Sequence, residues 1–129
     1  MTAHIRGWAA SAALTAAFLA GCADLTAGLT PPAQATPEPG AVASLDRLSP
    51  GVCNPVLARS LAGARIPIDD VRDVVYGLYR DDRRGKIVGY DAWVYLKDQP
   101  GSVIVQMDEY CTLRQIYTRD GAKLPNRQA

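Results

Sequence analysis

The chain has 129 residues, 48% of them hydrophobic and 21% charged, and its 14 Lys and Arg offset 13 Asp and Glu. That near balance leaves no global field to favour nucleic acid or an anionic membrane surface. The one histidine, His4, falls in an N-terminal segment with the marks of a removable leader; without it, Ser-His-Asp and Cys-His nucleophiles, His-ligated zinc and the usual proton shuttle near neutral pH are excluded.

Met1 to Gly7 carries Arg6 and no acid, and Trp8 to Leu19 is apolar apart from Ser11 and Thr15. A basic head ahead of a short apolar run predicts a secretory signal over residues 1–21, since a membrane span needs about 20 apolar residues. Leu19-Ala20-Gly21-Cys22 resembles the lipobox of bacterial lipoproteins. The resemblance implies cleavage before Cys22, a thioether-linked diacylglycerol on its thiol and an acylated amino group. Two or three acyl chains anchor firmly where one is marginal. Ordinary secretion with cleavage after Ala23 is the alternative, because Gly21 and Ala23 are both small. In lipoproteins an aspartate directly after the cysteine marks inner-membrane retention; here Ala23 holds that place and the acid comes at Asp24, so the periplasmic face of the outer membrane is the expected address. Loss of residues 1–21 removes Arg6 and leaves the charge balanced.

Residues 22–43 are mostly Ala, Thr, Gly and Pro, with Thr30-Pro31-Pro32 and Thr36-Pro37-Glu38-Pro39-Gly40. Such a composition predicts a solvated tether that lifts the domain off the bilayer, reaching roughly 60 Å at ~3.1 Å per residue if extended. A small folded domain is then expected over residues 44–121, followed by a flexible tail, 122–129. In Cys53-Asn54-Pro55, Asn54 is the expected cap and Pro55 the first helical residue, of a helix running to about Ala64 with Leu57 and Leu61 on one face. Ile66-Pro67-Ile68 breaks it. Asp69 then caps a second predicted helix, in which Val71, Val74, Val75, Leu78 and Tyr79 follow the i, i+3, i+4, i+7, i+8 stripe of a buried face. Gly77 either interrupts that helix or ends it.

Asp81-Asp82-Arg83-Arg84-Gly85 reads as a solvated connector rather than a calcium loop, because arginines adjoin the acids and the ligand pattern is missing. After it the period changes to two. Val88, Tyr90, Ala92, Val94 and Leu96 share one face of a strand over residues 86–97, and Asp91, Trp93 and Tyr95 share the other. Asp98-Gln99-Pro100-Gly101 is a turn. Val103, Val105 and Met107 then alternate with Ile104 and Gln106, and Asp108-Glu109 leads into a third strand, Tyr110 to Arg119. The order predicts an α+β fold, two N-terminal helices packed on one face of a three-stranded antiparallel meander.

Cys53 and Cys111 remain once Cys22 is taken by lipid. In an oxidising envelope compartment such a pair reads as one disulfide, free thiols or a redox couple being the alternative that lacks a close C-x-x-C spacing. Bonded, they turn the face carrying Cys111 and Leu113 toward the helices, with Val88, Tyr90, Ala92, Val94, Leu96, Val103, Val105 and Met107 beside them. The opposite face, Asp91, Trp93, Tyr95, Ile104, Gln106, Arg114 and Ile116, is then expected to meet water, the alternative being that the tether, the C-terminal tail or a chance mixture of residues covers it. It is the candidate partner surface, rich in residue types enriched at interface hot spots.

From Ala64 to Tyr117 the predicted arrangement resembles the SmpA/OmlA-type outer-membrane lipoproteins, accessory subunits of the β-barrel assembly machinery. The likeness rests on the element order, on Trp93-Val94-Tyr95 where that family has Trp-x-Tyr, and on Val103 to Asp108 where it has an apolar-x-Phe-Asp strand end. The family's Gly-Met-Thr entry to helix two is replaced by Arg65-Ile66-Pro67-Ile68-Asp69, its Leu-Gly-x-Pro exit lacks the proline, and the cysteine pair is extra. The resemblance implies a non-catalytic binding or scaffold role in the envelope, accessory to outer-membrane assembly, with a protein partner, the bilayer held through Cys22, and no nucleic acid, cofactor or metal. The alternatives are a periplasmic inhibitor of a wall-degrading or other envelope enzyme, and a separate lipoprotein family of similar fold. Catalysis by acids near Asp91, which with Trp93 and Tyr95 has the look of a sugar-contacting patch, is disfavoured because one small sheet offers little cleft.

Overall fold

The structure, a computed structural model, describes residues 32–125. The leader, the lipobox with Cys22, the first part of the tether and residues 126–129 lie outside the described residues. Two helices, α1 (Ala41–Leu48) and α2 (Asn54–Gly63), precede a single 3-10 turn at Ile68–Asp70 and four strands: β1 (Val71–Asp81), β2 (Lys86–Leu96), β3 (Ser102–Asp108) and β4 (Leu113–Arg119). The strands form one antiparallel meander in the order β1-β2-β3-β4. The fold is α+β with two helices, and the sheet has four strands where the sequence predicts three.

The extra strand is the predicted second helix. Val71 to Tyr79 is rich in Val and Tyr and holds Gly77, a composition that suits a pleated, half-buried surface and disfavours helix. Its helix-like spacing has another origin. The β1–β2 register shifts between Val71 and Asp73, pairing Val71 with Leu96 and Asp73 with Tyr95. This bulge puts Val71 and Val74 on one face although they are three apart, while Val75, Gly77 and Tyr79 take the other. A second shift, between Tyr79 and Arg80, leaves Val88 without a partner on β1. Val88, expected to face the helices, is 40% exposed.

A single buried cluster joins the helices to one face of the sheet. Leu45 of α1 and Leu57, Ala58 and Leu61 of α2 share it with Val74, Ala92, Val94, Leu96, Val103, Val105, Met107 and Leu113; this face is called inner below. Apart from Val88, every residue expected on it is buried in the cluster or packed against it. Helix α1 begins inside the stretch read as tether. Ala41 and Leu45 are its buried positions, one turn apart. Ahead of it, the Ala35 amide donates to the Arg59 carbonyl at 3.1 Å, and a side chain at Gly63 would collide with the Ala33 backbone. At the far end Ala122 is buried and Leu124 packs on the cluster, held as the Lys123 amide donates to Gln99 at 2.7 Å. The described residues of the stretches read as tether and tail, 32–43 and 122–125, therefore contribute to the domain.

Asn54 does not act as a helix cap. The N-cap position of α2 is Cys53, without a side-chain cap bond, and Asn54 is the first residue of the helix. Its fully buried amide instead ties the layers together. Oδ1 accepts from the Tyr76 hydroxyl at 2.6 Å, and Nδ2 donates to Asp46 at 2.6 Å and to the Ser49 carbonyl at 2.9 Å. Burial, then the Asp46 charge, push the Tyr76 hydroxyl above the ordinary tyrosine range, so it stays a donor. Gly51 makes room for that ring: a Cβ there would come within 2.7 Å of Tyr76 Cε2.

Cys53 and Cys111 form a disulfide across 58 residues of sequence, with Cα atoms 5.2 Å apart. Cys111 is not in a strand, because β4 starts later, at Leu113. It sits in the β3–β4 turn with φ +63°, a conformation uncommon for a side chain other than Gly or Asn. Asp108 fixes that turn, its Oδ1 accepting from the Tyr110 and Thr112 amides at 2.9 and 2.8 Å.

Candidate functional site

The outer face of the sheet brings together most of the candidate partner surface. Cross-strand registers align Gly77–Asp91–Gln106–Gln115 in one row and Val75–Trp93–Ile104–Tyr117 in the next. Tyr95 pairs with Asp73, and Tyr79 with Gly89. Asp91, Trp93, Tyr95, Ile104 and Gln106 thus lie side by side. Ile116 does not: it pairs with Val105 and is 7% exposed within the inner cluster. The register shift between Gln106 and Met107 is the cause, since one extra residue on β4 puts both Leu113 and Ile116 inward. Arg114, at that irregularity, is exposed and bonds Asp108 Oδ2 at 3.2 Å.

The face was expected to meet water, yet its floor is dry. Ile104 is 0% exposed and Asp91 only 2%. The cover comes from neighbours on the same face. Arg119 lies over the Trp93 ring, its Cζ 5.3 Å from the centroid, and Arg72 lies over Tyr95 at 5.8 Å, both within cation–π range. Two glycines open space beside Asp91. The point where a Gly77 Cβ would stand is 3.6 Å from Trp93 Nε1, and the same point at Gly89 is 3.7 Å from Tyr79 Cδ2. The Trp93 and Tyr79 rings thus pass within ordinary contact distance of these positions, and a side chain at Gly89 would also crowd the Met107 carbonyl at 3.2 Å.

Asp91 carries the chemical signature of the site. Its Oδ2 accepts from the Tyr79 hydroxyl at 2.7 Å. Its Oδ1 is buried with no hydrogen-bond partner, the one such side-chain atom among the described residues. Donation to Asp91, and the repulsion of a phenolate by that carboxylate, raise the Tyr79 hydroxyl above its usual range. At the nearby rim, burial works against the Asp108 charge, but the Thr112 and Tyr110 amides and the Arg114 guanidinium outweigh it and hold that carboxyl below the usual range. Tyr79, Val88, Gly89, Gln106, Met107, Asp108 and Arg114 line an open groove of about 390 Å³.

Several residues of this face escape a reading of the sequence alone. Val75 and Tyr79 are hidden by the helical reading of β1. Gln115, Tyr117 and Arg119 alternate with Ile116, and that period of two is the signal that could have found them. Among the described residues, no group of three His, Cys, Asp or Glu side chains is placed to hold a metal ion. Compared with protein-family models, curated protein sequences and solved structures, the chain matches none.

Proposed function

We propose that this chain is a bacterial envelope lipoprotein, anchored through acylated Cys22, whose domain binds a protein partner with the outer face of its sheet and performs no chemistry of its own. The observation that carries the binding reading is the composition of that face. Trp93, Tyr79, Tyr95 and Tyr117 stand on it over a buried carboxylate with an unmet hydrogen-bonding oxygen, whereas the inner face is spent on the core. Aromatic and arginine anchors around a desolvated polar group are what interface hot spots are made of. The anchor reading rests on Leu19-Ala20-Gly21-Cys22, and the outer-membrane address on Ala23. An accessory role in outer-membrane assembly keeps the Trp93-Val94-Tyr95 likeness but loses the element order, since β1 stands where the second helix was expected.

In-cell photo-crosslinking tests the binding reading, with a photoreactive phenylalanine analogue in place of Tyr95 and mass spectrometry of the adduct. A discrete adduct that fades in a Trp93→Ser background supports it. No adduct from Tyr95, with adducts forming from exposed positions on α1, overturns it. For the anchor, Cys22→Ser should leave the chain unprocessed or release it from membranes; a processed, membrane-bound Cys22→Ser protein would refute the lipobox.

A further inference from the structure

We propose that the groove beside Asp91 receives a basic side chain, arginine or lysine, presented by the partner, with its charged head closing on Asp91 Oδ1. This rests on reading the outer face as a docking surface and names what that surface recognises.

Four observations converge on it. First, a carboxylate that is 2% exposed leaves one oxygen without a donor. Such an atom costs free energy while it stays unpaired, and a cation relieves more of that cost than a neutral donor does. Second, Asp91 does not line the groove but adjoins two residues that do: Gly89 precedes it by two in β2, and Gln106 is its partner on β3. Its cover on that side is the Tyr79 ring, which is 51% exposed and can turn aside. Third, the lining suits a long amphipathic side chain. Val88 and Tyr79, both partly exposed, offer apolar wall for the methylene stem, and Asp91 is the carboxylate left for its head, since Asp108 is already bonded by Arg114. Fourth, the face already arranges its own guanidiniums in this way, Arg119 on Trp93, Arg72 on Tyr95 and Arg114 on Asp108. Among the described residues Tyr79, next to the unpaired oxygen, has no guanidinium over its ring.

A glycan fits less well. Its hydroxyls could donate to Oδ1 but would leave the buried charge unneutralised. The rings a sugar would stack on, Trp93 and Tyr95, already carry Arg119 and Arg72.

The test is a nuclear magnetic resonance titration of the full isotope-labelled chain in detergent micelles. The probes are N-acetyl-arginine methylamide, its neutral citrulline counterpart and chitotetraose, and the readouts are the Gly89 and Gln106 amides and the Trp93 indole N–H. The arginine probe should shift these signals saturably and bind about tenfold or more tighter than citrulline, the difference between a charge-assisted and a neutral hydrogen bond. Asp91→Asn should weaken it by a similar factor. Should Asp91→Asn fail to fold, Tyr79→Phe decides: it frees Oδ2 and should tighten the arginine probe, whereas unchanged or weaker binding contradicts the proposal. Citrulline binding as well as arginine, chitotetraose shifting the same signals at lower concentration, or no saturable response would each overturn it. An adduct from position 95 that survives alongside such a result keeps the docking surface and removes only the basic side chain.

Discussion

Tyr76 and Tyr79 stand on opposite faces of β1, and each donates its hydroxyl to a buried side chain. On the inner face the acceptor is Asn54, whose amide is satisfied by Tyr76, Asp46 and the Ser49 carbonyl. On the outer face the acceptor is Asp91, and one of its oxygens has nothing. The first arrangement is closed, neutral at its centre and spans two layers of the fold. The second is charged, half-finished and covered by a ring that is itself exposed. A satisfied buried network specifies structure, whereas an unsatisfied one is a stability cost that a binding partner can relieve. The difference separates the face that holds the fold from the face proposed to bind.

The largest effect expected from breaking this comparison is at the centre of the inner face. Val94→Asp buries an unpaired charge among apolar side chains and should leave the domain unfolded by circular dichroism. The disulfide comes next. Removing Cys53 and Cys111 together, or reducing the bond, reopens a loop of 58 residues, and chain entropy puts the loss at about 4 kcal/mol. For a domain of this size each kcal/mol is worth roughly 4–8 °C of thermal midpoint, so the midpoint should drop by well over ten degrees. A midpoint indifferent to reductant would show that the bond does not form or does not matter. Asn54→Ala is smaller. It leaves the Tyr76 hydroxyl without its acceptor in the interior, a loss of about 1–3 kcal/mol that denaturant unfolding will resolve.

The central strands were legible in the sequence, β4 was legible as a strand but not in its register, and β1 was not legible, for a physical reason. In β2 and β3 the period of two runs unbroken from Gly89 to Val94 and from Val103 to Asp108, so Ala92, Val94, Val103 and Val105 fell on the correct face. In β1 and β4 a register irregularity brings residues three apart onto one face: Val71 with Val74, and Leu113 with Ile116. Such a spacing imitates a helical stripe in the first case and misplaces Ile116 in the second. Helix α1 follows a proline-rich run that reads as solvated, and only Ala41 and Leu45 are buried in it, too short a pattern to stand out. The disulfide pairing was legible because the lipobox reading set Cys22 aside and left Cys53 and Cys111. For the candidate site, composition located Asp91, Trp93 and Tyr95. It did not show that Asp91 is buried, because Tyr79, whose hydroxyl bonds the Asp91 carboxylate, stands on β1, the segment read as a helix.

The most direct test of the claim that the outer-face carboxylate is kept at the expense of stability is the thermal midpoint of Asp91→Val. Valine suits a central strand and removes the buried charge. The one partner it strands, the Tyr79 hydroxyl, sits on a half-exposed side chain that can turn to water. Replacing an incompletely paired buried polar group by an apolar one is commonly neutral or stabilising. The midpoint should therefore hold or rise by a few degrees, against the fall expected of Asn54→Ala. A fall in Asp91→Val as large as that of Asn54→Ala would contradict the account, making Asp91 a structural residue like its counterpart on the inner face.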